Sequence, residues 1–99
     1  MMAKYLLLWE LTKNLVPIDP KERSTGWGTL LAMVKKDLAE GLMKDWGAFP
    51  GENRGYLIVE GSQLDVLKMT QQFMPFVQFK IHPVSAVGEI EALLDHMAG

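Results

Sequence analysis

The residue best suited to acid–base chemistry in this chain is His82, in an alternating segment near the C-terminal end. Imidazole has the side-chain pKa nearest neutrality, so it can take up and release a proton at physiological pH. Two further groups accompany it: Glu60 can accept a proton or orient a ligand, and Lys80 can hold an anionic group. The alternative for His82 is a structural histidine at a strand end before Pro83. The alternative for Glu60 is a carboxylate that is exposed at the surface or held in a salt bridge. The alternative for Lys80 is an ion pair with Glu60 across the sheet.

Three aromatic residues, Trp9, Trp46 and Tyr56, complete the set of candidate site residues. Aromatic walls around a few convergent polar groups are typical of small-molecule pockets. The two tryptophans can stack on an apolar or aromatic ligand, or they can pack in the core of a dimer. The sequence therefore predicts a catalytic role for His82 and ligand contacts for Trp9, Trp46, Tyr56, Glu60 and Lys80.

Composition excludes several kinds of chemistry. The 99 residues include no cysteine, which rules out disulfides, thiolate catalysis and cysteine-ligated metals. The two histidines form no ligand cluster, and no phosphate loop or dinucleotide fingerprint is present, so we expect neither a metal nor a cofactor. A net charge of −2 gives no reason to expect nucleic acid or an anionic membrane as partner. The apolar run at residues 5–9 is too short for a signal peptide or a membrane span, which predicts a soluble cytoplasmic protein.

The first half of the chain predicts a strand, a helix and a second strand. Leucines with aromatic neighbours indicate a strand over residues 4–12. Asp19 and Pro20 have the types expected at the cap and first position of a helix, and Gly41 is a natural stop. Residues 42–49 predict the second strand, which ends in a Pro-Gly turn.

The second half repeats this pattern and adds a helix. Residues 54–60 predict the third strand, and the capping box at 62–65 opens a helix that Pro75 closes. Residues 77–84 alternate like a strand with one polar face, and an apolar stripe over 87–97 predicts a last helix. The order βαββαβα predicts one domain over residues 1–99. Right-handed crossovers favour a ferredoxin-like, four-stranded antiparallel sheet with strands one and three central.

In such a fold, helices cover one face of the sheet and leave the other open. The central strands are apolar on both sides, so something has to cover the open face. Either a second copy packs sheet against sheet, or the last helix crosses the sheet of its own chain. We expect the open face to hold Tyr5, Leu7, Trp9, Tyr56, Ile58, Glu60, Gln78, Lys80 and His82, with Trp46 joining from strand two.

The chain resembles the dimeric α/β barrel superfamily, and within it a family of short, mostly bacterial domains of unknown function. The resemblance rests on Trp9 at the end of strand one, on Gly-Tyr-Leu-Ile-Val-Glu at 55–60 and on Phe-Lys-Ile-His-Pro-Val at 79–84. It covers nearly the whole chain, and Gly-Trp-Gly at 26–28 departs from it. Relatives include quinol-type monooxygenases, muconolactone isomerases, ligand-sensing domains and haem-degrading enzymes. The haem-degrading enzymes carry a histidine on the second helix that residues 62–76 lack.

The resemblance implies the fold and a homodimer more than an activity. Three hypotheses follow for the function. The chain binds a small apolar or aromatic ligand on the open face, or it is a cofactor-independent monooxygenase or isomerase with His82 as acid and base. Alternatively, it is a structural or regulatory dimerisation module without a ligand.

Overall fold

The computed structural model describes residues 3–99, and within them it has an α+β architecture of four strands and three helices. The strands are β1 (Ala3–Leu11), β2 (Met43–Ala48), β3 (Arg54–Gly61) and β4 (Val77–Val84). The helices are α1 (Pro20–Glu40), α2 (Gln63–Gln71) and α3 (Val87–Ala98). A short 3-10 turn, Lys13–Leu15, follows β1 and has no counterpart in the sequence prediction.

The sheet is antiparallel throughout, in the order β2-β3-β1-β4, which confirms that strands one and three are central. This arrangement is compatible with a ferredoxin-like fold. Both edge strands carry an irregularity. The register of β2 shifts between Met43 and Asp45, and β4 contains Pro83, which has no backbone N–H.

Most helices begin and end at the capping residues that the sequence predicts, and the end of α2 is the exception. The Asp19 carboxylate accepts a hydrogen bond from the backbone N–H of Glu22, and Gly41 ends α1 with a left-handed φ of 83°. Ser62 and Asp65 form the capping box of α2, and the backbone hydrogen bond from Ser62 lowers the pKa of Asp65. Helix α2 ends at Gln71, four residues before Pro75, because the chain turns away at 72–76.

Helices α1 and α2 cover one face of the sheet, which we call the covered face. Here Leu7 and Val59 are fully buried and Leu57 is nearly so, and Val66 and Met69 of α2 pack against them. Helix α1 contributes Val34 as its one fully buried apolar side chain. The core as a whole comprises Leu7, Trp9, Leu11, Val34, Met43, Leu57, Val59, Val66, Met69, Phe73 and Val77.

Helix α3 takes no part in this core. None of its residues is buried, and Ile90, Leu93 and Leu94 are each about half exposed. The radius of gyration is 16.4 Å, whereas a compact domain of about 100 residues has about 13 Å. The long axis of 61 Å against widths of 26 and 20 Å shows the same elongation. Helix α3 therefore covers neither face of its own sheet.

Candidate functional site

The face of the sheet opposite α1 and α2, which we call the open face, has an apolar centre. Leu8 of β1 lies opposite Tyr56 of β3, and Leu6 lies opposite Ile58. Leu8 is 37% exposed and the other three are partly buried. Directly opposite residues in a sheet share a face, so these four side chains form one continuous apolar strip.

Polar side chains surround the strip. The Arg54 guanidinium lies 3.3 Å from the Glu10 carboxylate, in an ion pair exposed enough to contribute little to stability. The Tyr56 hydroxyl donates a 2.7 Å hydrogen bond to the Asp45 carboxylate of β2, and this bond raises the pKa of Tyr56 above its usual value. Sequence reasoning named neither Asp45 nor Arg54. Their cross-strand partners become evident only when the register is known.

The structure places four of the predicted site residues on the open face but does not gather them into one cluster. Lys80 lies opposite Leu8, and His82 lies opposite Leu6, both on the edge strand β4. Glu60 lies opposite Lys4 on β1. A Lys80–Glu60 pair across the sheet is therefore wrong, because β1 separates their strands and the two residues do not share a register position.

The face predicted for β1 is wrong. Trp9 and Leu7 lie on the covered face, where they are 4% and 0% exposed, and Tyr5 shares their side of the strand. Leu6 and Leu8 take the open face instead. A shift of one residue exchanges the faces of a strand, and β1 is apolar on both. The face predicted for β4 is confirmed, since Val77, Phe79 and Ile81 lie opposite covered-face residues of β1.

Trp46 also lies on the covered face, opposite Leu57. Its ring stacks on that of Trp9, with centroids 5.4 Å apart and planes 10° from parallel. The ring of Trp27, from α1, meets Trp9 edge-on at 5.9 Å. The Trp9 indole N–H donates a 3.2 Å hydrogen bond to the carbonyl of Gly47. The rings of Trp9 and Trp46 thus pack within the chain's own core.

Gly55 explains how the Trp9 ring fits. Gly55 lies directly opposite Trp9, and a Cβ on it would overlap both the Trp9 indole and the Gly47 carbonyl. The absent side chain leaves room for the ring to cross β3 and reach β2. In the sequence, the sign of this packing was Gly55 within the predicted third strand, next to the strand that carries Trp9.

Three cavities lie at or near the sheet. The first, about 280 Å³, opens at one end of the open face, with Leu8, Phe49, Gln78 and Lys80 in its lining. A second, of about 20 Å³, lies among the three tryptophans, and it has room for little more than a water molecule. The third, about 340 Å³, lies on the helix side between α1 and the segment after β1. His82 lines none of the three.

One ionisable group is buried among the helices. Asp37 of α1 is 2% exposed, and its Oδ2 has no hydrogen-bond partner among residues 3–99. Burial raises the pKa of this carboxyl, and the nearby charge of Glu40 raises it further. Over the same residues, histidine, aspartate and glutamate side chains form no group of three that could hold a metal ion.

No protein-family model matches the chain, and no curated protein matches it in sequence. No helix within the described 97 residues is long and apolar enough to cross a membrane. The arguments about function therefore rest on the two faces of the sheet, the three cavities and α3.

Proposed function

We propose that this chain is a self-associating domain, in which two copies bury their open faces against each other as a dimeric α/β barrel. The observation that carries the proposal is the apolar strip of Leu6, Leu8, Tyr56 and Ile58, which no helix among residues 3–99 covers. An apolar patch with a polar rim is typical of a protein–protein interface. In a chain of 99 residues the core is small, so burying a second apolar surface contributes a large share of stability.

Helix α3 supports self-association independently. A helix of 12 residues is marginal in water unless it packs on something, and α3 exposes five large apolar side chains. The sequence left open that α3 crosses its own sheet, but here it extends away from it. A second copy of the chain can supply the apolar surface against which α3 packs, and it is always present together with the first. The five side chains are Val87, Ile90, Leu93, Leu94 and Met97.

Solution mass tests this proposal. We expect the wild-type chain to have twice the mass of one chain at micromolar concentration by sedimentation equilibrium. Leu8→Lys and Ile58→Lys place a charge in the strip and should give the mass of a single chain. Leu64→Lys is the matched control, because Leu64 is 57% exposed on α2, away from the strip. A wild-type monomer at all concentrations, or equal effects of all three variants, would contradict the proposal.

A second candidate function is binding of a small apolar or aromatic ligand at the open face. The 280 Å³ cavity favours it, since Leu8 and Phe49 offer apolar contacts while Gln78 and Lys80 offer polar ones. A partner sheet over this cavity would enclose it. Titration with 2-naphthol, followed by amide NMR shifts, should perturb Gln78 and Lys80. Perturbations confined to the helix side of the sheet would exclude this site.

Catalysis by His82 as acid and base remains a prediction from the sequence. The His82 side chain is exposed on the edge strand, and among residues 3–99 it makes no side-chain hydrogen bond that would fix its tautomer. A general base needs a substrate within hydrogen-bond reach, and His82 lines none of the three cavities described above. The proposed self-association therefore does not depend on His82.

A further inference from the structure

The cavity of about 340 Å³ on the helix side, which we call the α1 groove, lies outside everything proposed above. Its apolar walls come from the end of β1, the segment that follows it, the first half of α1 and Phe76 before β4. Leu15 and Phe76 are 45% and 53% exposed, so the groove is open to solvent. The apolar lining residues are Leu11, Leu15, Val16, Pro17, Trp27, Leu30 and Phe76.

The groove lies beside the first half of α1, next to the segment that follows β1. The two buried residues of α1, Val34 and Asp37, both lie in its second half. Its first half is less buried: Trp27 packs edge-on against Trp9 of β1, and the groove lies between this half and residues 12–17. Gly26 adds to the space, since a Cβ on it would meet no heavy atom within 4 Å.

Arg23 is the one charged residue in the lining of the groove. Its Nη1 donates a 3.3 Å hydrogen bond to the carbonyl of Ile18, which holds the side chain beside the groove. No carboxylate of residues 3–99 forms an ion pair with it. A guanidinium has five N–H donors, so most of those of Arg23 are free to bind a planar anion. The nearby Asp19 carboxylate is occupied as the cap of α1.

We propose that the α1 groove binds a small molecule with an apolar or aromatic body and a carboxylate, which pairs with Arg23. A volume of about 340 Å³ falls within the range of about 300–1,000 Å³ that is usual for small-molecule sites. The Trp27 and Phe76 rings offer flat surfaces for an aromatic body. Because the groove lies on the helix side, pairing of the open faces leaves it accessible, and the inference does not rest on the dimer.

The test uses two probes with the same ring system, naphthalene-2-carboxylate and the neutral 2-naphthalenemethanol, added to the full chain. Both should shift the indole N–H signal of Trp27 in nitrogen-15 NMR spectra. The carboxylate should bind about fivefold more tightly, as expected for a partly exposed ion pair. Arg23→Gln should remove this preference and leave binding of the neutral probe unchanged. A preference that survives Arg23→Gln would overturn the role of Arg23.

Two glycines of α1 provide a matched pair for the groove itself. Gly26 lines it and Gly28 does not, and a Cβ at either position meets no neighbour. Leucine favours a helix over glycine, so neither variant should unfold the chain. Gly26→Leu should weaken binding of both probes at least tenfold, whereas Gly28→Leu should bind them like the wild type. Equal affinities of the two variants would show that the groove is not the site.

The outcome also separates this inference from the proposed function. Shifts at Gln78 and Lys80 instead of Trp27 would place the probes in the open-face cavity and overturn the groove as the site. Sedimentation of Gly26→Leu should give the same mass as the wild type, because residue 26 lies far from the open face. A wild-type chain that sediments as a monomer but binds the probes at Trp27 would refute self-association alone.

Discussion

The two faces of the sheet are formed by alternate residues of the same strands, yet they end in opposite states. On β1, Leu7 is fully buried while its neighbour Leu8 is 37% exposed, although the residue type is the same. On β3, Leu57 is 2% exposed whereas Ile58 is only partly buried. The difference comes from α1 and α2, which lie on one side only. Hydrophobicity in a strand thus does not by itself say which face is buried, because the position of the helices decides it.

The largest expected effect comes from truncating Trp9 on the covered face. Trp9→Ala removes the ring that joins Trp27 and Trp46, and should lower the free energy of unfolding by about 3–5 kcal/mol. Leu8→Ala, one residue away on the open face, should cost less than about 1 kcal/mol in the dissociated chain. Urea unfolding at low and high protein concentration measures both. Similar losses at low concentration would remove the distinction between the faces.

Filling space on the covered face should also be costly. Gly55→Ala introduces a methyl group where the Trp9 indole and the Gly47 carbonyl already lie, which should destabilise the chain by about 1–3 kcal/mol. Gly28→Ala is the control, because its methyl group meets nothing and alanine favours the helix by up to about 1 kcal/mol. Thermal unfolding should therefore move in opposite directions for the two variants. A neutral Gly55→Ala would mean that the tryptophan packing adjusts freely.

A smaller, stabilising effect is expected within the helical layer. Asp37→Asn removes a buried charge whose Oδ2 lacks a partner, and should raise the free energy of unfolding by about 1 kcal/mol at pH 7. The raised pKa means that the folded chain holds this proton more tightly than the unfolded chain. Its contribution is therefore favourable at low pH and is lost as the pH rises through the raised pKa. Denaturant titrations between pH 3 and 8 measure it as the difference between wild type and variant.

The contribution of Asp65 to stability should depend on pH in the opposite direction to that of Asp37. Its pKa is lowered by the backbone hydrogen bond of the capping box, so its contribution is present above its usual pKa and is lost as the pH falls. Asp65→Asn should accordingly destabilise the chain at pH 7 and matter less in acid. If both variants change stability in the same direction at pH 7, burial of Asp37 is not what raises its pKa.

The smallest expected effect lies on the open face. Tyr56→Phe removes the exposed hydrogen bond to Asp45 and should change stability less than any variant above. Because the pKa of Tyr56 is raised, its contribution to stability is fully present at pH values below the usual tyrosine pKa. The contribution is lost as the pH rises through the raised pKa. Absorbance titration of the phenol detects the shift directly. A large loss of stability in Tyr56→Phe would show that the open face is more ordered than its exposure indicates.

Elements that depend on neighbouring residues were predictable from the sequence. The cap at Asp19, the capping box at Ser62, the turn at Pro50-Gly51 and the bounds of β4 are set by interactions over a few residues. The face of β1 was not predictable in this way. Its alternate sets, Leu6 with Leu8 and Leu7 with Trp9, are equally apolar, so alternation carried no information about direction.

The candidate site shows the same limit. The sequence correctly placed four residues on the open face: Tyr56, Glu60, Lys80 and His82. On β4, polar and apolar residues alternate and so indicate which side chains share a face. Trp9 and Trp46 were not placed correctly, because their position depends on a contact across three strands at Gly47 and Gly55. The α1 groove was missed as well. It forms between α1 and the segment after β1, a contact that no local pattern encodes.

The irregular edges of the sheet limit how large an assembly of these chains can become. Strands that pair edge to edge can add copies without end, whereas two faces that cover each other leave no second face to offer. The shifted register of β2 at residues 43–45 interrupts one edge, and Pro83 offers no N–H to a further strand at the other. Growth into a filament is thereby discouraged on both sides, and the proposed pairing of open faces would end at a closed pair.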